Sequence, residues 1–179
     1  MNKKLLAVLL WCMGIFAVIH LTNRFTHIEE NLMAIARSTL EYIKEEEGYR
    51  NKAYKDSKGL LTIGVGHLIK PDEKHLINAT LTDQEVEDLL RSDLRWCRAA
   101  VESSIGVSLP QASMDALYSL CFNIGETNFK RSTVVKKINQ NDLKGAADAI
   151  LMWNKPPELK KRRKRERDLF LSGIEGVNI

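Results

Sequence analysis

Residues 47–67 read Glu47-Gly-Tyr-Arg-Asn-Lys-Ala-Tyr-Lys-Asp56-Ser-Lys-Gly-Leu-Leu-Thr62-Ile-Gly-Val-Gly-His67. The stretch interrupts a chain whose apolar residues otherwise recur with helical periodicity. Before it, Leu32, Ile35, Ala36, Thr39, Leu40 and Ile43 fall at helical spacing, and Gly48 is the residue type that ends a helix. Within it, Tyr54, Thr62, Ile63 and Val65 lie among Gly59, Gly64 and Gly66, which predicts a β-hairpin or small sheet. A three-residue loop centred on Gly59 sets Asp56 directly opposite Thr62, about 5 Å apart at Cβ. Thr62, Gly64 and Gly66 then share one face, and Ile63 and Val65 the other. The glycine face leaves bare backbone for an extended ligand to approach. A carboxylate at the helix end, Glu47, facing the pair Asp56 and Thr62 across a groove suits cleavage of a glycosidic bond.

Downstream the pattern is helical. Thr82 and Glu85 form a capping box at the start of a helix carrying Val86, Leu89, Leu90, Leu94, Cys97 and Val101. Pro110 suits a first turn, and Met114, Leu117, Tyr118, Cys121 and Phe122 predict a well-buried helix that Gly125 ends. Val134, Val135 and Ile138 mark a short helix, and Asp142 caps another with Leu143, Ala146, Ala147, Ile150 and Leu151 inward. Pro156 and Pro157 break the chain. A last helix spans Leu159 to Ser172, with a basic face and Gly173 as its cap. The expected class is α+β: a mostly helical domain with a small β-hairpin or sheet near its N-terminus.

The 179 residues are 44% hydrophobic and 28% charged, which excludes a disordered chain and a multispan membrane protein. Three Cys exclude a disulfide scaffold. The net charge is +4 but uneven: residues 155–168 hold eight basic and three acidic side chains. Leu5 to Leu21 is seventeen residues without a formal charge, the short limit for crossing a hydrocarbon core of about 30 Å. Of these, ten are Leu, Ile, Val or Phe. His20, Leu21, Thr22, Asn23 and Arg24 make a poor signal-peptidase site, so an uncleaved anchor is expected over a cleaved signal. Lys3 and Lys4 before the run, with Glu29 and Glu30 beyond Arg24, put the N-terminus in the cytoplasm. The expected organisation is an N-terminal transmembrane helix and connector over residues 1–27, then one domain over 28–179.

The string from Glu47 to His67 closely resembles the phage-type lysozymes of glycoside hydrolase family 24. Their signature is Glu, eight residues, Asp, five residues and Thr, followed by Ile-Gly-x-Gly-His, and all of it is present. The resemblance continues through Asp115 to Gly125, Phe129 to Asn139, Trp153 and Arg162 to Gly173. It implies a lysozyme-like fold and hydrolysis of the β-1,4 bond between N-acetylmuramic acid and N-acetylglucosamine in peptidoglycan, without metal or cofactor. Glu47 is implied as general acid. Asp56 is implied to stabilise positive charge on the sugar and, with Thr62, to hold the attacking water, with inversion at the anomeric carbon. Gly66 and Leu68 flank the expected cleft edge, and Phe122 and Ser132 match family positions near the sugars. His67 is expected to be structural, paired with Asp93. Glu45 and Glu46 read as solvated residues of a helix end. Arg162 or Arg163 reaches Glu47, unless the basic face is simply solvated.

The apolar run ahead of this domain resembles signal-anchor-release endolysins. It implies attachment to the host inner membrane, a periplasmic catalytic domain, later release into the periplasm and lysis of the host cell. Released anchors tend to be rich in Gly and Ala, and this one holds Gly14, Ala7 and Ala17 among many Leu and Ile. Cys12 lies in the anchor, and Cys97 and Cys121 fall on expected core faces. The expected partners are peptidoglycan and, through residues 5–21, the membrane; the chain is expected to be a monomer. Two other classes compete: a non-catalytic, membrane-anchored wall-binding protein on the same fold, and an anchored basic-helix protein binding anionic lipid or nucleic acid through Lys160 to Arg167. The intact Glu47, Asp56 and Thr62 weigh against the first. The lack of interleaved aromatics weighs against nucleic acid.

Overall fold

Helix α1 (Arg37–Glu47) stops where Gly48 turns to a φ of 68° and returns its N–H to the Lys44 carbonyl. The structure is a computed structural model that describes residues 35–56 and 59–176. The apolar run 5–21, Cys12 and the expected boundary at residue 27 lie outside the described residues. Ile35 is buried but precedes the helix, and Ala36 is its N-cap, so α1 begins later than the apolar spacing predicts.

Three short strands follow, β1 (Arg50–Lys55), β2 (Leu61–Gly64) and β3 (His67–Leu68), in the antiparallel order β1-β2-β3. Their register corrects the expected pairing. Thr62 lies opposite Tyr54, not Asp56, and Lys55 lies opposite Leu61. The Asp56 N–H donates to the Leu60 carbonyl and the Gly59 N–H to the Asp56 carbonyl, each at 2.9 Å. Gly59, at a φ of 80°, therefore occupies the last position of the loop rather than its centre. Three-residue hairpin loops commonly close on a left-handed residue, and glycine adopts that conformation without steric cost. Asp56 and Thr62 are consequently diagonal neighbours on one face. The alternation Thr62, Gly64, Gly66 also stops early: β2 ends at the buried Gly64, and Gly66 sits in the turn to β3. Thr62 pairs across to Leu68, so Tyr54, Thr62 and Leu68 form one row.

A 3-10 turn (Lys74–Asn78) leads to the capping box at Thr82, where the Glu85 N–H meets the Thr82 hydroxyl at 3.2 Å and the Glu85 carboxylate accepts the Thr82 N–H at 2.7 Å. The single helix expected beyond it is two, α2 (Asp83–Asp93) and α3 (Arg95–Ser104), divided at Leu94. Leu94 is neither Gly nor Pro and is fully buried, so tertiary packing overrides local propensity at the break. Helix α4 (Gln111–Ile124) follows Pro110 and is buried over Asp115 to Cys121, the mark of a central helix. Gly125 ends it and opens α5 (Glu126–Lys130). Ser132 caps α6 (Thr133–Asn139), and Asp142 caps α7 (Leu143–Ile150).

Helix α8 (Leu159–Glu175) packs along α4 and runs past its expected end. Gly173 is inside it, not its cap. A Cβ there would lie 2.8 Å from the Ser113 backbone nitrogen, so the missing side chain lets α8 approach α4. The basic face is not simply solvated either: Arg162 and Arg163 are buried, while Lys160, Lys161 and Lys164 face outward. Replacing Gly173 with Ala should destabilise the fold by about 1–3 kcal/mol through overpacking. Urea unfolding measures this, and an unchanged midpoint would contradict the close approach.

Candidate active site

Glu47 is the last residue of α1, and the side chain that meets it comes from α8. Arg162 Nη1 donates to Glu47 Oε1 at 2.6 Å. The guanidinium is 7% exposed and the Glu47 side chain 28%, so the carboxylate reaches solvent while its partner does not. Arg162 is fixed from behind: its Nε donates to Glu166 Oε1 at 3.0 Å, and its Nη2 donates to the Ser119 carbonyl at 3.2 Å and hydroxyl at 3.1 Å. Arg163 turns away from the site. It is fully buried, donates to Asn123 Oδ1 at 2.9 Å and lies 3.1 Å from Glu166 Oε2.

Glu46 is not the solvated residue its position suggested. Arg165 grips it through two 2.6 Å bonds, and the Glu46 side chain is 4% exposed. Burial alone would raise this carboxyl, but the Arg165 bonds and charge outweigh it and hold the group below its ordinary value. Glu45 remains exposed.

Asp56 and Thr62 are tied to one residue of the hairpin. Asp56 Oδ1 accepts the Leu60 N–H at 2.8 Å, and the Thr62 hydroxyl donates to the Leu60 carbonyl at 3.2 Å. The Thr62 oxygen, its proton thus engaged, still has acceptor capacity. The turn chemistry of the loop therefore orients both side chains.

Three of the expected sugar-contacting residues come together. Gly66, Leu68 and Phe122 line one groove of about 440 Å³, with Lys70, Ser92 and Trp96. Leu68 enters it from the row that contains Thr62. Trp96 stacks on Phe122 with ring centroids 6.3 Å apart and planes inclined by 19°. Ser132 stands apart from this groove. It borders a separate hollow with Arg131, Met152 and Trp153, and its hydroxyl accepts the Val135 N–H at 3.2 Å.

His67 bridges two carboxylates. Its Nδ1 lies 2.9 Å from both Asp93 oxygens, and its Nε2 lies 2.9 Å from Glu73 Oε2. Both ring nitrogens facing carboxylates favours the doubly protonated ring. Burial opposes the charge, yet the bonds to Glu73 and Asp93 outweigh it, and His67 is raised above its ordinary value. Glu73 is held down at about 2, first by the Lys70 backbone N–H and then by His67. Cys97 and Cys121 are free and buried, and the Cys121 contact, with burial, pushes the Cys97 thiol up. Among the described residues no three His, Cys, Asp or Glu are placed to hold a metal ion.

Sequence reading missed Trp96, Glu73 and Glu166. Glu166 had a readable signal, since it stands four residues after Arg162 and three after Arg163, the spacing of helical ion pairs. Trp96 had a weaker one, a large aromatic off the apolar stripe of its helix. Nothing local marked Glu73, which reaches His67 through the fold of the segment beyond β3.

The His67 bridge predicts a pH signature. The raised His67 value means its contribution is fully present below the ordinary imidazole value of 6.5 and is lost as pH rises through the folded-state value. The lowered Glu73 value means its share is present above 4.5 and is lost as pH falls towards about 2. The melting-temperature difference between the wild type and His67→Asn should therefore be largest between about pH 4.5 and 6.5 and shrink towards pH 9. A difference that grows with rising pH would contradict the charged bridge.

The chain resembles known proteins in sequence and in fold. The family model described as phage lysozyme matches residues 44–166. The endolysin of Salmonella phage P22 is 44% identical over 146 residues, covering 79% of this chain and 100% of the relative. A crystal structure of a mutant of that phage's lysozyme aligns with a TM-score of 0.72 at 43% identity, covering 77% of this chain and 98% of the other. The SAR-endolysin of Bacteriophage PS119 is 39% identical over 132 residues, 71% of this chain and 77% of the relative. The muramidase domain of SpmX from Asticaccaulis excentricus aligns with a TM-score of 0.66 at 35% identity, covering 76% of this chain and 97% of that domain.

Proposed function

The chain belongs to the phage lysozyme family, and from that premise we propose how it cuts peptidoglycan and from where. It is a glycoside hydrolase of the endolysin type, a muramidase acting on the β-1,4 bond between N-acetylmuramic acid and N-acetylglucosamine. The reading rests on one observation above the others: a partly exposed carboxylate at the end of α1, Glu47, is held by a buried guanidinium. Glu47 is the general acid that protonates the leaving oxygen. Asp56 stabilises positive charge on the sugar ring and, with the Thr62 oxygen as acceptor, holds the attacking water. Attack from the face opposite Glu47 inverts the anomeric carbon. The groove of Gly66, Leu68 and Phe122 takes the neighbouring sugars, and the partly exposed Trp96 offers a ring face to one of them. Ser132 contributes from the separate hollow near Trp153.

Residues 5–21 anchor the chain in the host inner membrane with the N-terminus cytoplasmic and the catalytic domain periplasmic, from which it is released to lyse the cell. The uncharged apolar run and the likeness to a SAR-endolysin support this reading. Among the described residues no helix is long and apolar enough to cross a membrane.

The test is reducing-end release from purified Gram-negative peptidoglycan by the full chain. Glu47→Gln should lower it by about 10²–10⁴-fold, the usual contribution of general acid catalysis. Release by a folded Glu47→Gln chain at the wild-type rate would remove Glu47 from the reaction. In the same assay Trp96→Ala should raise KM by about 3–10-fold and leave kcat nearly unchanged, since an aromatic stacking contact is worth about 0.5–1.5 kcal/mol.

A further inference from the structure

Behind the catalytic carboxylate lies a cluster of charge that the reaction itself does not use. Glu166 is fully buried on α8, 84 residues beyond the capping box and one turn after Arg162. It accepts Arg162 Nε at 3.0 Å and the Ser119 hydroxyl at 2.7 Å through one oxygen, and its other oxygen lies 3.1 Å from Arg163 Nε. The last approach is close but not aligned: Arg163 Nε and Nη1 and Glu166 Oε2 have no hydrogen-bond partner. A buried ion cluster with incomplete hydrogen bonding is a poor source of stability, because desolvation offsets much of the attraction. What the cluster does supply is a fixed direction for Arg162. One edge of its guanidinium is committed to Glu166 and Ser119, which leaves Nη1 aimed at Glu47.

The charges around the site also balance. From α1 come Tyr42, Glu46 and Glu47; from α4, Ser119 and Asn123; from α8, Arg162, Arg163, Arg165 and Glu166. Three guanidinium groups meet three carboxylates. Without the Glu166 carboxylate, Arg162 would lose the partner of its Nε and Arg163 its nearest opposite charge.

We propose that Glu166 is a positioning residue for the reaction, which holds Arg162 in the direction that fixes the Glu47 carboxyl where it donates to the leaving oxygen. The proposal rests on the muramidase reading. It concerns a residue that never touches the sugar.

The test compares the full chain with Glu166→Gln and Glu166→Asp, using soluble oligomers of the wall glycan and recording kcat and KM. Glu166→Gln keeps the shape and loses the charge. It should lower kcat at neutral pH by about tenfold with KM within about twofold. Glu166→Asp, which keeps the charge, should recover most of the lost kcat. A folded Glu166→Gln chain with the wild-type kcat would overturn the proposal. If Glu166→Gln does not fold, Ser119→Ala decides: it keeps every charge and releases one bond to each of Glu166 and Arg162. A fall in kcat at constant KM supports the positioning role, and an unchanged kcat overturns it. A wild-type chain that releases no reducing ends counts instead against the muramidase reading.

Discussion

The contact between Arg162 and Glu47 closes a loop of 115 residues in sequence at 2.6 Å, and the arrangement of the site depends on it. A carboxylate on the last residue of a helix is free to sample many rotamers, because the next residue, Gly48, offers nothing to pack against. Arg162 supplies the missing constraint from a different element. Its own position follows from α8, which lies close to α4 because Gly173 has no side chain to hold it off Ser113. Arg165 clasps the adjacent Glu46 and so joins α8 to α1 a second time. The geometry at Glu47 is thus set by helix packing far from it in sequence.

The orientation of Asp56 and Thr62 has a local origin. The loop between β1 and β2 closes on Gly59, and this places the Leu60 amide and carbonyl where Asp56 and Thr62 can bond to them. One backbone residue therefore orients both side chains. The same register sets Leu68 beside Thr62 and carries the row into the groove where Trp96 and Phe122 stack. A slip of one residue in the hairpin would reverse which side chains face that groove. His67 and its two carboxylates hold β3 against the end of α2 and the segment at Glu73.

Much of this was legible in the amino-acid sequence where the controlling interaction is local. The stop at Gly48, the capping box at Thr82, the buried stripe of α4 and the cap at Asp142 each depend on residues within a few positions of one another. The exact string from Glu47 to His67, rather than the spacing of its carboxylates, carries the resemblance to the family. The misreadings share a cause. Asp56 falls opposite Thr62 only if the loop is centred on Gly59, and a one-residue change in loop closure moves the register. The break at Leu94 and the interior place of Gly173 come from packing against other elements, which leaves no local mark. Glu46 read as solvated because its partner, Arg165, is 119 residues away in sequence.

The proposed reaction requires a water held by Asp56 and Thr62 to attack the sugar from the side away from Glu47. The most direct measurement is the anomeric configuration of the first product, read by proton NMR within minutes of adding the enzyme to soluble wall glycan, before mutarotation. A water held in that position gives the α-anomer of the new reducing end. A β-anomer as first product would mean that Asp56 attacks the sugar itself, and would contradict the account.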